Sequence, residues 1–167
     1  GANVNYTLEA KELVISGKGD MYDYSSENDV PWYQNYSIIT SVRISDGITR
    51  IGNYSFYYLL YCTSISIPDS VISIGYKAFG YCRLVQTLRI SDKVQSIGPY
   101  CFTDCSKLQL FTIPEGITTI KEGTFYYCRS ISNFSIPKSV TSIEKYAFSS
   151  TGLTNITIND NVSIGNG

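Results

Sequence analysis

Five cysteines and no histidine define the chemistry open to this 167-residue chain. The thiols are Cys62, Cys82, Cys101, Cys105 and Cys128. Without an imidazole there is no Ser-His or Cys-His nucleophile pair, which excludes that kind of acyl-transfer catalysis. A tetrahedral zinc site needs a full ligand set, and the chain offers neither a CxxC pair nor a His to complete one. Cys82, Cys105 and Cys128 instead recur every 23 residues, each three after a phenylalanine, while Leu59 and Thr151 fill the same place in flanking segments. A position that accepts Cys, Leu or Thr is a compact core site, where a free thiol acts as a small hydrophobe. A disulfide between stacked coils is within reach, because adjacent strands lie about 4.7–4.9 Å apart, but parallel side-chain vectors suit the bond poorly.

The remaining polar chemistry is equally sparse. Carboxylates recur singly, as Asp46, Asp69, Asp92 and Glu115, before Lys138 breaks the row. Such a column invites calcium, but Asp at each of these places also caps its own turn. Carboxylate pairs for acid–base work are not visible, and no glycine-rich phosphate loop occurs. No catalytic residue, cofactor site or metal site is assigned. A net charge of −1 with 16% charged residues argues against a nucleic-acid backbone as partner. No 18-residue apolar run is present, so this segment is not expected to insert into a membrane. The opening Gly1-Ala2 reads as a processing scar and leaves export open. Asn-x-Ser/Thr sequons begin at Asn5, Asn35, Asn53, Asn133, Asn155 and Asn161; in a chain rich in these residues several arise by chance.

What positions these groups is a repeat. Phe56, Phe79, Phe102, Phe125 and Phe148 are spaced by 23 residues. Ile44, Ile67, Ile90, Ile113 and Ile136 open the units, and Ile51, Ile74, Ile97, Ile120 and Ile143 follow seven residues on. Between them runs Ile48, Val71, Val94, Ile117, Val140. A fixed period of this kind marks one small unit stacked on itself. A single unit cannot enclose its apolar face; neighbours above and below can.

Within each unit, alternation predicts a half-buried strand ending at the first Ile, as in Val42-Arg43-Ile44, Ile65-Ser66-Ile67, Leu88-Arg89-Ile90 and Phe111-Thr112-Ile113. Six such strands should pair in parallel. Turns follow at Ser45-Asp46-Gly47, Pro68-Asp69-Ser70, Pro114-Glu115-Gly116 and Pro137-Lys138-Ser139. A short extended piece ends in the second Ile, and Tyr-Lys-Ala-Phe or its equivalent has room for one helical turn. Residues 1–37 lack the period and read as a β-rich cap, with Trp32 covering the spine. Residues 38–157 form the repeat region, with five units from Ile44, and 158–167 read as a truncated further repeat or a tail.

Stretches such as IPDSVISIGYKAFGYCRL and IPEGITTIKEGTFYYCRSI resemble the BspA-type leucine-rich repeat, whose units follow IPxSVxxIGxxAFxxCxxL. The segment LVISGKGDMYDY before them is also similar to what often precedes such repeats. The resemblance implies a β-rich leucine-rich-repeat solenoid: a right-handed superhelix with a parallel sheet on its concave face and short turns or single helical turns on the other side. It further implies a secreted or cell-surface protein engaged in adhesion or partner binding.

The outward strand residues are therefore the candidate contacts for a protein partner: Arg43, Ser66, Thr87, Arg89, Leu110, Thr112, Asn133 and Ser135. Arg43, Arg89 and Leu110 project beyond their neighbours and are the expected anchors. Tyrosines also recur beside the repeated Phe, at Tyr54, Tyr57, Tyr58, Tyr81, Tyr100, Tyr126, Tyr127 and Tyr146. They suit either stacking between units or a glycan-binding row. The leading expectation is non-enzymatic recognition at the cell surface. The alternatives are a structural spacer within a longer surface protein and a carbohydrate-binding module.

Overall fold

The structure, a computed structural model, describes residues 3–109 and 111–166. It is a β-rich solenoid whose short strands among the described residues are β1 (Val4–Glu9), β2 (Glu12–Gly17), β3 (Gly19–Asp20), β4 (Ser41–Ile44), β5 (Ile48–Ile51), β6 (Ser64–Ser66), β7 (Ser73–Ile74), β8 (Ser96–Ile97), β9 (Thr119–Ile120), β10 (Asn133–Ser135), β11 (Ser142–Ile143), β12 (Asn155–Thr157) and β13 (Ser163–Ile164). The helical content among the described residues is two single 3₁₀ turns, Glu27–Asp29 and Tyr33–Asn35.

The N-terminal hairpin β1–β2 turns through Ala10 and Lys11, both left-handed, as a two-residue loop matched to strand twist requires. From β2 onward pairing is parallel. Leu13 sits opposite Val42 and Ile15 opposite Ile44, and β4 then pairs β6 with Val42 opposite Ile65. A second ladder aligns the other isoleucine column in two separate sheets, Ile51 with Ile74 and Ile97 in one and Ile120 with Ile143 and Ile164 in the other, with no strand pairing between Ile97 and Ile120 among the described residues.

Among the described residues the first ladder is not the continuous six-strand sheet that alternation predicts. After β6 it thins to an isolated bridge at Thr87, and it resumes where β10 pairs β12. The break lies at Phe111, whose column reads Val42, Ile65 and Leu88 before it and Phe134 and Ile156 after it, where pairing has resumed.

Around each Phe the chain makes a short turn and not a helix, closed by one bond three residues back, as from the Tyr57 amide to the Tyr54 carbonyl at 3.1 Å, and a third ladder links these turns from coil to coil. The amides of Tyr54, Phe56 and Tyr58 donate to the carbonyls of Tyr76, Ala78 and Gly80 at 2.9, 2.8 and 2.8 Å. Tyr100, Phe102 and Asp104 repeat the triplet onto Glu122, Thr124 and Tyr126. To aim alternate amides at the next coil, the residues flanking each Phe adopt positive φ: Tyr54 and Tyr58 (56° and 69°), Lys77 and Tyr81 (50° and 61°), Tyr100 and Asp104 (both 52°). That conformation costs an L-residue roughly 1–2 kcal/mol, and the intercoil hydrogen bonds hold it in place.

Inside these ladders runs a ring stack. Centroids of Phe56 and Phe79, Phe79 and Phe102, Phe102 and Phe125, and Phe125 and Phe148 lie 5.4, 5.8, 5.5 and 5.4 Å apart, with planes within 16° of parallel. Trp32 extends the stack at its N-terminal end, 5.9 Å from Phe56, and its indole N–H donates to the Ser55 carbonyl at 2.9 Å. Buried rings need that polar tip satisfied, so Trp32 is held by stacking and by a hydrogen bond together.

The cysteine column does more than fill space. The thiols of Cys82, Cys105 and Cys128 donate to the carbonyls of Phe56, Phe79 and Phe102, one coil back, at 3.3, 3.2 and 3.0 Å. Buried carbonyls require partners, and the thiol supplies one to the carbonyl of the repeated Phe. Leu59 stands where the preceding coil carries Trp32 in place of that phenylalanine. Thr151 donates to Phe148 within its own coil, at 2.8 Å. All five cysteines are buried and free. Burial pushes the Cys62 thiol up to about 11 and the Cys105 thiol up to about 12, and it raises Cys82, Cys101 and Cys128 as well.

Two outcomes follow. Phe102→Ala removes a fully buried ring from mid-stack and is expected to cost about 3–5 kcal/mol, read as a lower denaturation midpoint. The thiols are expected to resist an aromatic disulfide reagent in the native protein and to react once it unfolds. Their folded pKa lies above the ordinary thiol value of 9.0, so their contribution is intact below pH 9. It is lost as pH rises towards 11–12, because the unfolded chain releases those protons first. Melting temperatures measured across that range should fall, and replacing Cys82, Cys105 and Cys128 with Val should flatten the decline.

Candidate recognition surface

Two rows of side chains leave the first ladder on its outer side. One row is Arg43, Ser66, Arg89, Thr112 and Ser135; beside it run Ser41, Ser64, Thr87 and Asn133. Ser41 pairs with Ser64 and Arg43 with Ser66, so the rows are in register with the strands. Period-two alternation puts the buried Val42 and Ile65 on the other side of the same strands. Each of Arg43, Ser66, Thr87, Arg89, Thr112, Asn133 and Ser135 is exposed. Leu110 lies outside the described residues.

Both arginines reach to neighbouring carboxylates. Arg43 meets Glu12 of β2 at 3.3 Å, and Arg89 meets Asp69, in the turn of the previous coil, at 2.7 Å. The hydrogen bond and charge of Arg89 hold the Asp69 carboxyl below its usual range. Yet the two side chains are 73% and 56% exposed. Ion pairs this open to water contribute little and exchange readily for a partner's carboxylate.

Where the ladder is interrupted, the face dips into a recess of about 350 Å³ lined by Thr87, Arg89, Gln109, Phe111, Thr112 and Asn133, together with the buried Leu88 and Ile90. Phe111 forms its floor, packed 4.9 Å from Phe102 and 5.0 Å from Phe125. The recess therefore gathers four of the sequence-assigned contacts, Thr87, Arg89, Thr112 and Asn133, and leaves Arg43, Ser66 and Ser135 along the rows outside it. Gln109 and Phe111 are lining residues that the alternation pattern did not single out. The available signal was the ring at Phe111, which with Phe134 interrupts a column that is aliphatic at Val42, Ile65, Leu88 and Ile156. The recess thus offers a guanidinium, hydroxyls, side-chain amides and an aromatic ring as binding groups.

The tyrosine row packs between coils. Tyr54 meets Tyr76 at 5.4 Å, Tyr76 meets Tyr100 at 6.3 Å, and Tyr100 meets Tyr126 at 6.4 Å. Lys77 places its ammonium 5.7, 5.7 and 5.1 Å from the rings of Tyr54, Tyr57 and Tyr76, so a cation of the chain itself fills that cage. Among the described residues no cluster of three carboxylate, thiol or imidazole groups is placed to hold a metal ion, and no helix is long and apolar enough to cross a membrane.

The model of the BspA type leucine rich repeat region matches residues 32–153 in six copies. Among solved structures, a leucine rich cell surface protein from Faecalibacterium prausnitzii is 30% identical with a TM-score of 0.75, covering 99% of this chain and 49% of its own. A leucine rich repeat protein from T. pallidum shares the fold at 19% identity and a TM-score of 0.74, covering 99% of this chain and 84% of that one. One from Bacteroides ovatus does so at 20% and 0.69, covering 98% and 60%. The chain thus spans about half the length of its F. prausnitzii relative. Comparison with curated proteins returns no match.

Proposed function

Because this chain belongs to the BspA-type leucine-rich repeat family, we propose that it is a non-enzymatic recognition module, acting at the cell surface or outside the cell, and that it binds a protein partner through the outer face of its first ladder. The observation that carries this reading is the recess over Phe111, set within rows of short exposed side chains and flanked by Arg89. Short Ser, Thr and Asn side chains leave the surface accessible over several coils, and solenoids use such extended faces for binding. Arg89 and Arg43 supply charge and reach, while the ring of Phe111 offers apolar contact at the bottom of the dip. This combination suits a peptide segment carrying a carboxylate beside an apolar side chain. The relative from F. prausnitzii, itself called a cell surface protein, supports the location.

Arg anchors in an interface typically cost more than 1 kcal/mol each on truncation. The combined variant Arg43→Ala, Arg89→Ala, Thr112→Arg is therefore expected to lose about tenfold or more in adhesion to matrix-coated surfaces and host-cell layers. All three positions are exposed, so its melting temperature should match the parent's. Adhesion unchanged in the variant would point instead to a spacer that holds other segments apart.

A further inference from the structure

The turn side of the solenoid carries a second feature that the ladder face does not explain. Two residues after each repeated Phe the column reads Tyr58, Tyr81, Asp104, Tyr127 and Ser150, and two residues later Leu60, Arg83, Ser106, Arg129 and Gly152. Two coils thus present a Tyr-Arg pair, and the coil between them presents Asp104 and Ser106. In both pairs the guanidinium lies over the ring of its own coil, Arg83 at 5.2 Å from the Tyr81 centroid and Arg129 at 5.1 Å from that of Tyr127. The middle coil lacks both the ring and the guanidinium. It leaves a notch of about 480 Å³ between the stacks, lined also by Thr103, Ser106 and Tyr126. With strands spaced about 4.7–4.9 Å apart, two coils set the stacks about 10 Å apart, wide enough for a sugar ring.

The charges of the two arginines differ in what they face. Arg83 donates its Nε–H to Asp104 at 2.8 Å, and its Nη2 contacts the same carboxylate oxygen, so its charge is met within the notch. Arg129 has no ion pair among the described residues. The notch therefore holds one uncompensated positive charge, on a planar fork already oriented by stacking on Tyr127. Such a fork matches a carboxylate with two parallel N–H···O bonds. The rest of the lining is tyrosine rings and hydroxyls, which complement the C–H face and hydroxyl edge of a pyranose.

We propose that this notch binds an acidic sugar residue within a glycan chain, with Arg129 taking its carboxylate and Tyr126, Thr103 and Ser106 meeting its ring and hydroxyls. The site is independent of the protein-binding face. Asp104 restrains the second guanidinium: while it engages Arg83, only Arg129 is open to the ligand.

The test is titration of the folded chain with short oligogalacturonate, with a neutral galactose oligomer of equal length and with oligoglutamate, followed by NMR and calorimetry. Oligogalacturonate is expected to bind and to shift the Tyr126 and Tyr127 resonances, while the neutral oligomer does not bind. Arg129→Gln should weaken binding about tenfold or more, and Asp104→Asn should tighten it several-fold by releasing Arg83, an opposite-signed pair that loss of fold would not produce. Added salt should weaken binding. Absence of oligogalacturonate binding, equal binding of the neutral oligomer, or indifference to Arg129→Gln overturns the assignment. Equal, Arg129-dependent binding of oligoglutamate overturns the sugar class. Oligogalacturonate binding lost in Arg89→Ser but retained in Arg129→Gln would place the ligand on the opposite face and likewise overturns it. Loss of adhesion in the ladder-face variant leaves this result untouched, so the two readings fail separately.

Discussion

Between Phe56 and Phe148, ring follows ring at 5.4 to 5.8 Å with planes nearly parallel, and Trp32 closes the N-terminal end of the column. Each coil is about 23 residues, far too short to bury a ring on its own. A phenylalanine is withdrawn from water only when the coils before and after it supply its two faces. Burial of such a side chain stabilises by about 1.5–3 kcal/mol, and here that gain accrues to the contact between coils and not to any one coil. Register is a consequence. A strand displaced by one residue would turn Val42 or Ile65 outward and draw Arg43 or Ser66 into the ring stack.

The same dependence governs the backbone. A segment bent as tightly as Gly52 to Leu59 leaves amides and carbonyls that local turns cannot all satisfy. The neighbouring coil accepts from three of the amides, and the thiol three residues after the next phenylalanine donates to a carbonyl that the amide ladder does not use. Tyr54, Tyr58, Lys77 and Tyr81 are held left-handed because that is the geometry in which these bonds form. Side chains, thiols and backbone therefore enforce one coil spacing. No polar side-chain atom buried among the described residues is left without a partner.

This division explains what could be read from the sequence. The phenylalanine and isoleucine columns were legible because burial between coils imposes a strict period. The inward and outward faces of the strands were legible for the same reason. The turn around each Phe was not: Tyr-Lys-Ala-Phe has the propensity of a helical turn, and single-residue preference opposes positive φ at Tyr and Lys. The carbonyls that override it belong to another coil. The thiol hydrogen bonds were hidden with it, since the carbonyl they meet takes its direction from that turn. In the candidate recognition surface, the exposure of Thr87, Arg89, Thr112 and Asn133 followed from alternation. Gln109 and Phe111 did not, because a strict in–out reading assigns Phe111 wholly to the interior. Its ring is in fact only partly covered and floors the recess.

A perfectly regular solenoid would offer ridges and no hollow, since every coil would present the same side chain at the same height. Concavity needs a coil that departs from its column. In this chain the unit at residues 90–112 does so on both sides. Phe111 is larger than Val42, Ile65 and Leu88 of its column and lies at the break in the first ladder, while Asp104 and Ser106 are smaller than the Tyr and Arg of the coils before and after them. The ring stack runs through this unit undisturbed, with Phe79, Phe102 and Phe125 in line. Because the interior already fixes the spacing of the coils, positions outside it can vary without loss of fold. Specificity in such an array is therefore to be sought where the columns are broken and not where they are kept, and in this chain one coil carries a hollow on each side.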